Sequence, residues 1–473
     1  IPAIISGESG GWLGNFGTNM LELYQQYNVR MHPNSITSLA AKKKNILKQI
    51  DSLEKLASTQ DVSLKLAAVK KLLATIEADQ QKYNKENYNK LPERERMLNS
   101  KAFTTNVDDP DYHSLTSLKY TENGTERELN IPKGDILHQF RHDVQNGTLP
   151  TVSYLHPPGN FSDHPGSPWF GPLFASEVMN ILTENPEVWK KTIFILTYDE
   201  NDGYFDHVPP FVVPNPYKEN TGKVSKEFDP KMDFSTKDQQ TNPSASPDRL
   251  RDGPIGLGYR VPMVIASPWT RGGFVCSEVF DHTSSIQFME NFLEKKFNKK
   301  IKEDHITAWR RSICGDLTSV FRPYNNEKVV KPAFLNKDPF IETINNAKFK
   351  KEPVTFKKLT VEEIALINKD PFNSPYFPKQ EKGIRSACAL PYELYVNGAF
   401  DKDKNSFWMT FKAGNEIFGQ RSSGSPFSVY AMNPYQNADM RTWNYSAIAG
   451  DTLQDEWHLK DFEGTNYHFR VYG

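Results

Sequence analysis

Thr192-Ile-Phe-Ile-Leu-Thr197 runs straight into Tyr198-Asp199-Glu200-Asn201-Asp202-Gly203-Tyr204-Phe205-Asp206-His207. An uncharged, mostly apolar run of this kind is the pattern of a strand covered on both faces, as in a parallel sheet. The polar string then falls at the strand's carboxyl end, where open α/β sheets gather ligands and catalytic groups. Working outward, Thr151-Val-Ser-Tyr-Leu155 reads as a second strand. Val261-Pro-Met-Val-Ile-Ala266 reads as a third, with Pro262 at its start, where a missing N–H costs least. Phe174, Val178, Ile181 and Leu182 form a helical stripe that stops near Asn185-Pro186. Ile286, Met289, Phe292 and Leu293 form another between Thr283 and Phe297. Strands alternating with helices predict an α/β class, with a mainly parallel sheet and helices on both faces.

On either side the pattern changes. Leu39, Lys43, Ile46, Ile50 and Leu53 alternate spacings of four and three, as do Val62, Leu66, Val69, Leu73 and Ile76. Polar Ser58-Thr59-Gln60 interrupts this heptad seam, so the expectation is an antiparallel helical hairpin inserted over 36–95, either a scaffold element packed on the main body or a partner-binding coiled coil, with no chemistry of its own. Pro209 to Pro247 is aperiodic and rich in Pro, Asn, Lys and Ser, and reads as a surface loop beside the site. After Ala389 the period drops to two: Tyr392, Leu394 and Val396, then Phe407, Met409 and Phe411, then Tyr467, Phe469 and Val471. With turns expected at Asn397-Gly398 and Glu463-Gly464, this is a small all-β sandwich. The expected organisation is a first domain over 1–326, a linker wrapping it over 327–388, and the β domain over 389–473.

With 473 residues, several domains are expected, and a net charge of −1 provides no bulk field for nucleic acid or an anionic membrane. Phosphate chemistry would therefore have to come from a local site. Cys276, Cys314 and Cys388 match no zinc spacing, and either three structural thiols or one disulfide in an exported protein fits them. No apolar run is long enough to span a bilayer. Ile1-Pro2-Ala3-Ile4-Ile5-Ser6-Gly7 lacks the form of a signal peptide.

Adjacent Asp199 and Glu200 repel unless a proton or cation compensates them, and a hard divalent cation is one answer; a solvated acidic turn is the other. Its metal could polarise a phosphoryl oxygen. Spacing excludes an EF-hand. Asp206-His207 offers a further ligand pair or a carboxylate-oriented histidine. Asp163-His164 follows the strand at 151–155, so His164 could reach the same edge. In Asp281-His282-Thr283-Ser284, Asp281 or Thr283 could cap a helix while His282 faces an anion or simply serves the helix start. Either His164 or His282 could donate to phosphoryl oxygens or protonate a leaving alkoxide. No Walker loop or H-E-x-x-H motif is present. Ser162 is an ordinary loop serine.

Tyr198 to Pro210 (YDENDGYFDHVPP), Phe161 to Pro165 (FSDHP), Arg260 to Pro268 (RVPMVIASP), Asp281 to Ser284 (DHTS) and Cys314 to Ser319 (CGDLTS) together resemble the bacterial phosphocholine-specific phospholipase C family. That family is related to a bacterial acid phosphatase and lies in the alkaline-phosphatase-like superfamily. Trp12 to Thr18 and the helical insert resemble its longer-insert branch, and the segment from Pro391 resembles its small β domain. The resemblance implies hydrolysis of phosphatidylcholine, with sphingomyelin as an alternative, to phosphocholine and diacylglycerol or ceramide. It implies a divalent metal of unknown identity on Asp199 and Glu200, with His164, His207 and His282 as catalytic residues. It also implies a periplasmic or secreted protein that touches the membrane surface peripherally. Family members open with a signal peptide and a strand ending in a Q-E-N-R-S-F-D-H-Y-F-G-like string, with the nucleophile downstream of it. Neither is found here, so the chain is expected to lack the first part of the catalytic domain and to be inactive alone. A phosphomonoesterase, or a non-catalytic binding fragment, are the competing expectations. For a choline cage, Trp169, Phe170, Tyr204 and Trp269 are candidates.

Overall fold

A computed structural model describes residues 10–14, 25–56, 59–102, 106, 108–240, 247–326, 328, 333–352, 357–376 and 383–473. The opening stretch 1–7, residues 15–18 and Ser58 lie outside them. The chain divides into two compact units, Ile1–Lys191 with Lys331–Thr360, and Thr192–Val330 with Val361–Gly473.

In the first unit, α1 (Pro33–Glu54) and α2 (Gln60–Lys82) form the expected hairpin. Leu39, Ile46, Ile50 and Ile76 are buried between them, with Leu66, Val69 and Leu73 packed alongside. Lys43 bonds Glu77 at 2.8 Å and Lys70 bonds Glu54 at 2.7 Å, so early residues of α1 face late residues of α2. Thr59 caps α2 by accepting from the Val62 N–H. β1 (Leu115–Glu122) and β2 (Thr125–Pro132) form an antiparallel hairpin. Its turn residues, Asn123 and Gly124, both have positive φ, as a two-residue hairpin loop with the right twist demands. The helix α3 (Gly171–Thr183) carries the predicted stripe, with Val178, Ile181 and Leu182 buried. A core of Ile131, Phe161, Phe170, Leu173 and Ile341 joins the hairpin, α3 and a helix at Lys337–Ala347.

Thr151–Leu155 forms no strand, and Val152, Tyr154 and Leu155 are exposed. β-propensity acts through cross-strand neighbours, and among the described residues this run has none.

The second unit contains β3 (Phe194–Thr197), β4 (Gly222–Val224) and β5 (Met263–Ala266). The mixed α/β class and the β-rich C-terminal domain are as expected, but the parallel arrangement is not. β3 and β5 pair antiparallel, Phe194 opposite Ala266 and Thr197 opposite Met263. Their side chains are at most half-buried. An apolar run reports the availability of side chains for burial and is silent on the direction of the neighbouring strand. Then follow α4 (His282–Phe297) and α5 (Ala308–Ile313), with Trp309, Ile313 and Cys314 buried against Val213 and Phe228.

The sandwich is built from β6 (Leu394–Asp401), β7 (Ser406–Ala413), β8 (Ser425–Ala431), β9 (Arg441–Ala447), β10 (Thr452–His458) and β11 (Phe469–Tyr472). One sheet runs β11-β8-β9-β4 and the other β10-β7-β6. Phe411, Phe427, Trp443, Tyr445 and Trp457 fill the space between them. Two expectations are corrected here. Asn397-Gly398 lies inside β6, where a Cβ on Gly398 would sit 2.8 Å from both Phe407 Cζ and the Trp408 carbonyl. Glycine serves close cross-strand approach there, not a turn. Leu394 and Val396 are also exposed, because β6 is an edge strand. Glu463-Gly464 does turn, with Gly464 at φ 75°.

The Pro209–Pro247 excursion is not simply a surface loop. Its β4 adds a parallel strand to β9, and Val213, Ser225, Phe228, Asp233 and Phe234 are buried. Such a short pairing leaves no periodicity, and the prolines and asparagines serve its turns.

Candidate functional site

The acidic string leaves β3 as a loop braced by its own side chains. Asn201 Oδ1 accepts from the Gly203 N–H (3.3 Å), and its Nδ2 donates to the Tyr204 carbonyl (2.6 Å). Asp202 Oδ1 accepts from the Tyr204 N–H at 3.0 Å. These short-range bonds are what Asn and Asp do in turns. They leave the Asp199 and Glu200 side chains pointing to the exposed surface.

Asp206 is the loop's anchor. Arg260 donates to it through Nε at 2.7 Å, Nη2 at 2.9 Å and its backbone N–H at 3.3 Å, and the Val208 N–H adds a fourth bond at 3.1 Å. The forked guanidinium matches a carboxylate in geometry. That pairing, with the Val208 amide, holds the Asp206 carboxyl far below the usual carboxylate range. The same pairing raises Arg260. His207 stands beside this clamp, Nδ1 3.3 Å from Asp206 Oδ1 and Nε2 3.4 Å from Arg260 Nη2, with its side chain 85% exposed.

His282 opens α4, and its Nε2 lies 3.0 Å from the Asp199 carbonyl oxygen. A carbonyl only accepts, so Nε2 carries the proton. The bond ties the start of α4 to the end of β3. Asp281 caps α4, its Oδ1 accepting from the Thr283 N–H (2.9 Å) and hydroxyl (2.6 Å). Its other oxygen takes Arg310 Nη1 at 2.6 Å. Arg310 continues to Asp233 Oδ1 at 3.0 Å and to the Gly256 carbonyl at 2.6 Å.

Asp199, Glu200, His207 and His282 thus fall on one loop and the helix start bonded to it, within the second unit. His164 belongs to the first unit. It is exposed, and its Nδ1 accepts from the Gly166 N–H at 3.3 Å. The strand expected to aim it is missing. Asp163, at φ 58°, instead caps α3 by accepting from the Gly171 N–H at 2.8 Å.

Two residues that sequence reasoning did not assign, Arg260 and Arg310, hold the site together. Arg260 lies just ahead of β5, and β5 runs antiparallel to β3, so Arg260 reaches the loop that leaves β3. Only the strand direction could have revealed it. Of the choline-cage candidates, Phe170 is core, stacked on Trp12 at 5.2 Å. Tyr204 and Trp169 are exposed, and Trp269 is half-buried. Exposed Phe205 meets Tyr259 edge-on at 5.9 Å.

Asp199 and Glu200 have the oxygen chemistry that a hard cation prefers, but such ions take about six or more oxygen ligands. Among the described residues no group of three or more His, Cys, Asp and Glu side chains is placed to hold a metal ion. The two carboxylates do not fit a complete metal site by themselves.

Residues 72–297 match the Phosphoesterase family, and residues 386–473 match the bacterial phospholipase C C-terminal domain. The chain is 35% identical to a non-hemolytic phospholipase C of Burkholderia pseudomallei, over 72% of this chain and 43% of that protein. It is 36% identical to a non-hemolytic phospholipase C of Pseudomonas aeruginosa, over 71% of this chain and 43% of the relative. A plant relative, non-specific phospholipase C6 of Arabidopsis thaliana, is 30% identical over 40% of this chain and 31% of its own length. The aligned part spans less than half the length of each of these relatives.

Proposed function

Because residues 72–297 match the Phosphoesterase family and residues 386–473 match the C-terminal domain of bacterial phospholipases C, we propose that the chain is part of a phospholipase C. The reaction is hydrolysis of a phosphodiester, releasing a phosphorylated headgroup and diacylglycerol. The observation that carries this reading is the occurrence of both family matches in one chain, in tandem. Bacterial proteins similar over 72% and 71% of this chain are themselves named phospholipases C. Phosphatidylcholine is the proposed substrate, with sphingomyelin the alternative, met at a membrane surface. No described helix is long and apolar enough to cross a membrane. The proposed location is periplasmic or secreted.

Within this proposal His282 and His207 face the scissile phosphate. His282 already donates from Nε2 to the Asp199 carbonyl, and its Nδ1 is the atom left to accept or deliver a proton. His207, most of whose ring is exposed and whose Nδ1 lies 3.3 Å from Asp206 Oδ1, can donate to a phosphoryl oxygen. Asp199 and Glu200 supply two carboxylate ligands of a divalent-ion site whose further donors are not among the described residues.

The test is the product formed from phosphatidylcholine vesicles by the whole protein from which this sequence comes. Phosphocholine and diacylglycerol in equal amounts, lost on adding a chelator and restored by a divalent metal, are expected. Free choline with phosphatidic acid would mean the other phosphodiester bond is cut. Turnover of a simple phosphomonoester without attack on the lipid would replace the reading with a phosphatase.

A further inference from the structure

All three cysteines are free thiols in the structure, but two of them are neighbours. Val275 and Ala387 form an isolated parallel β-bridge. The Val275 N–H donates to the Ser386 carbonyl and the Cys388 N–H donates to the Val275 carbonyl, each at 2.9 Å. Cys276 and Cys388 occupy the next position of that register. Adjacent strands lie about 4.8 Å apart, which places paired Cα atoms inside the window of roughly 4.4–6.8 Å that a disulfide spans. Cys276 meets the Ser319 hydroxyl at 3.4 Å. Cys314 packs in a separate cluster with Trp309, Ile313, Val213 and Phe228.

We propose that Cys276 and Cys388 close into a disulfide that staples the segment entering the sandwich to the loop leading into α4. The segment after Cys388 enters β6, and the loop after Cys276 reaches the Asp281 cap and His282, so one bond fixes both. The oxidant is a small-molecule disulfide. The Cys276 thiolate attacks one of its sulfurs, forms a mixed disulfide and releases one thiol. The Cys388 thiolate then attacks the Cys276 sulfur and releases the second, so two protein thiols become one disulfide and the reagent becomes two thiols. Burial, and then the Cys276 neighbour, raise the Cys388 thiol, whereas Cys276 is half-buried; Cys276 therefore starts the exchange.

The full chain is reduced, exposed to oxidised glutathione, alkylated under denaturing conditions and mapped by mass spectrometry. The expected product has lost about 2 Da and carries one alkyl group, on Cys314, with the peptides of Cys276 and Cys388 joined. Because the bridge closes a long loop, the thermal midpoint of the oxidised protein should exceed that of the reduced protein by about 5 °C or more. Cys276→Ser should abolish both effects, while Cys314→Ser should keep them, which guards against a variant that merely misfolds. Three alkylated cysteines after oxidation, a bridge through Cys314, or a link between chains would overturn the proposal. A Cys276–Cys388 bond that leaves the midpoint unchanged would overturn the stapling role.

Discussion

Asp206 accepts four hydrogen bonds, three from Arg260, and its side chain is only 11% exposed although the loop around it is open. Its carboxyl is held far below the usual range, first by the Arg260 side chain and then by the Val208 amide. A carboxylate whose folded pKa is depressed contributes stability that is present above its unfolded value, about 3.9, and lost as pH falls through the folded one. The loop should therefore stay clamped at pH 4 and open only in stronger acid. Asp206→Asn keeps the shape and removes the charge, and should speed amide exchange across residues 198–210 at neutral pH. Hydrogen-exchange mass spectrometry of that segment is the check. Unchanged protection in the variant would mean the short-range Asn201 and Asp202 bonds suffice.

At the scale of an element, α4 depends on a chain of charges that ends far from it in sequence. Arg310 sits between Asp281, which caps the helix, and Asp233, which is almost fully buried and whose Oδ2 has no partner. Arg310→Met leaves two buried carboxylates without a counter-charge, which costs about 3–5 kcal/mol, and should release the His282 end of α4. Arg310→Lys keeps the charge but cannot reach both carboxylates and the Gly256 carbonyl, so it should recover only part. Chemical denaturation of the three proteins measures both. What could be foreseen here was local: Asp281 beside Thr283 announced a cap, and the alternating seams announced the hairpin. What could not be foreseen was long-range. Strand direction decides that Arg260 reaches Asp206, and strand pairing decides that Thr151–Leu155 stays unpaired. Neither is encoded in the spacing of apolar residues along one segment. The same limit hid Gly398, a glycine that looks like a turn until the neighbouring Phe407 and Trp408 are placed.

At the largest scale, the second unit folds from stretches that the sequence keeps far apart. β4, from the excursion after the acidic loop, pairs parallel with β9 of the sandwich. Around this ladder Asn220 Oδ1 accepts from Trp443 Nε1 at 2.9 Å, Lys223 meets Asp455 at 3.1 Å, Ser225 bonds Asp451, and Trp309 Nε1 donates to Ser446 Oγ at 2.8 Å. The sandwich is therefore a structural part of the unit that carries Asp199 and His282, and not a separate module on a tether. Gly222 is where this can be tested. Its φ is 121°, and a Cβ there would lie 1.8 Å from the Asn444 carbonyl oxygen, so no side chain fits without breaking the ladder. Gly222→Ala should destabilise the unit by more than about 3 kcal/mol. It should also deprotect residues 220–225 and 443–447 together in hydrogen exchange. If the variant loses protection only at 220–225 and keeps the wild-type midpoint, the excursion is an ornament on the sandwich. If both segments open and the midpoint falls, the stability of the acidic loop's own unit is set in part by a domain whose strands begin almost two hundred residues later.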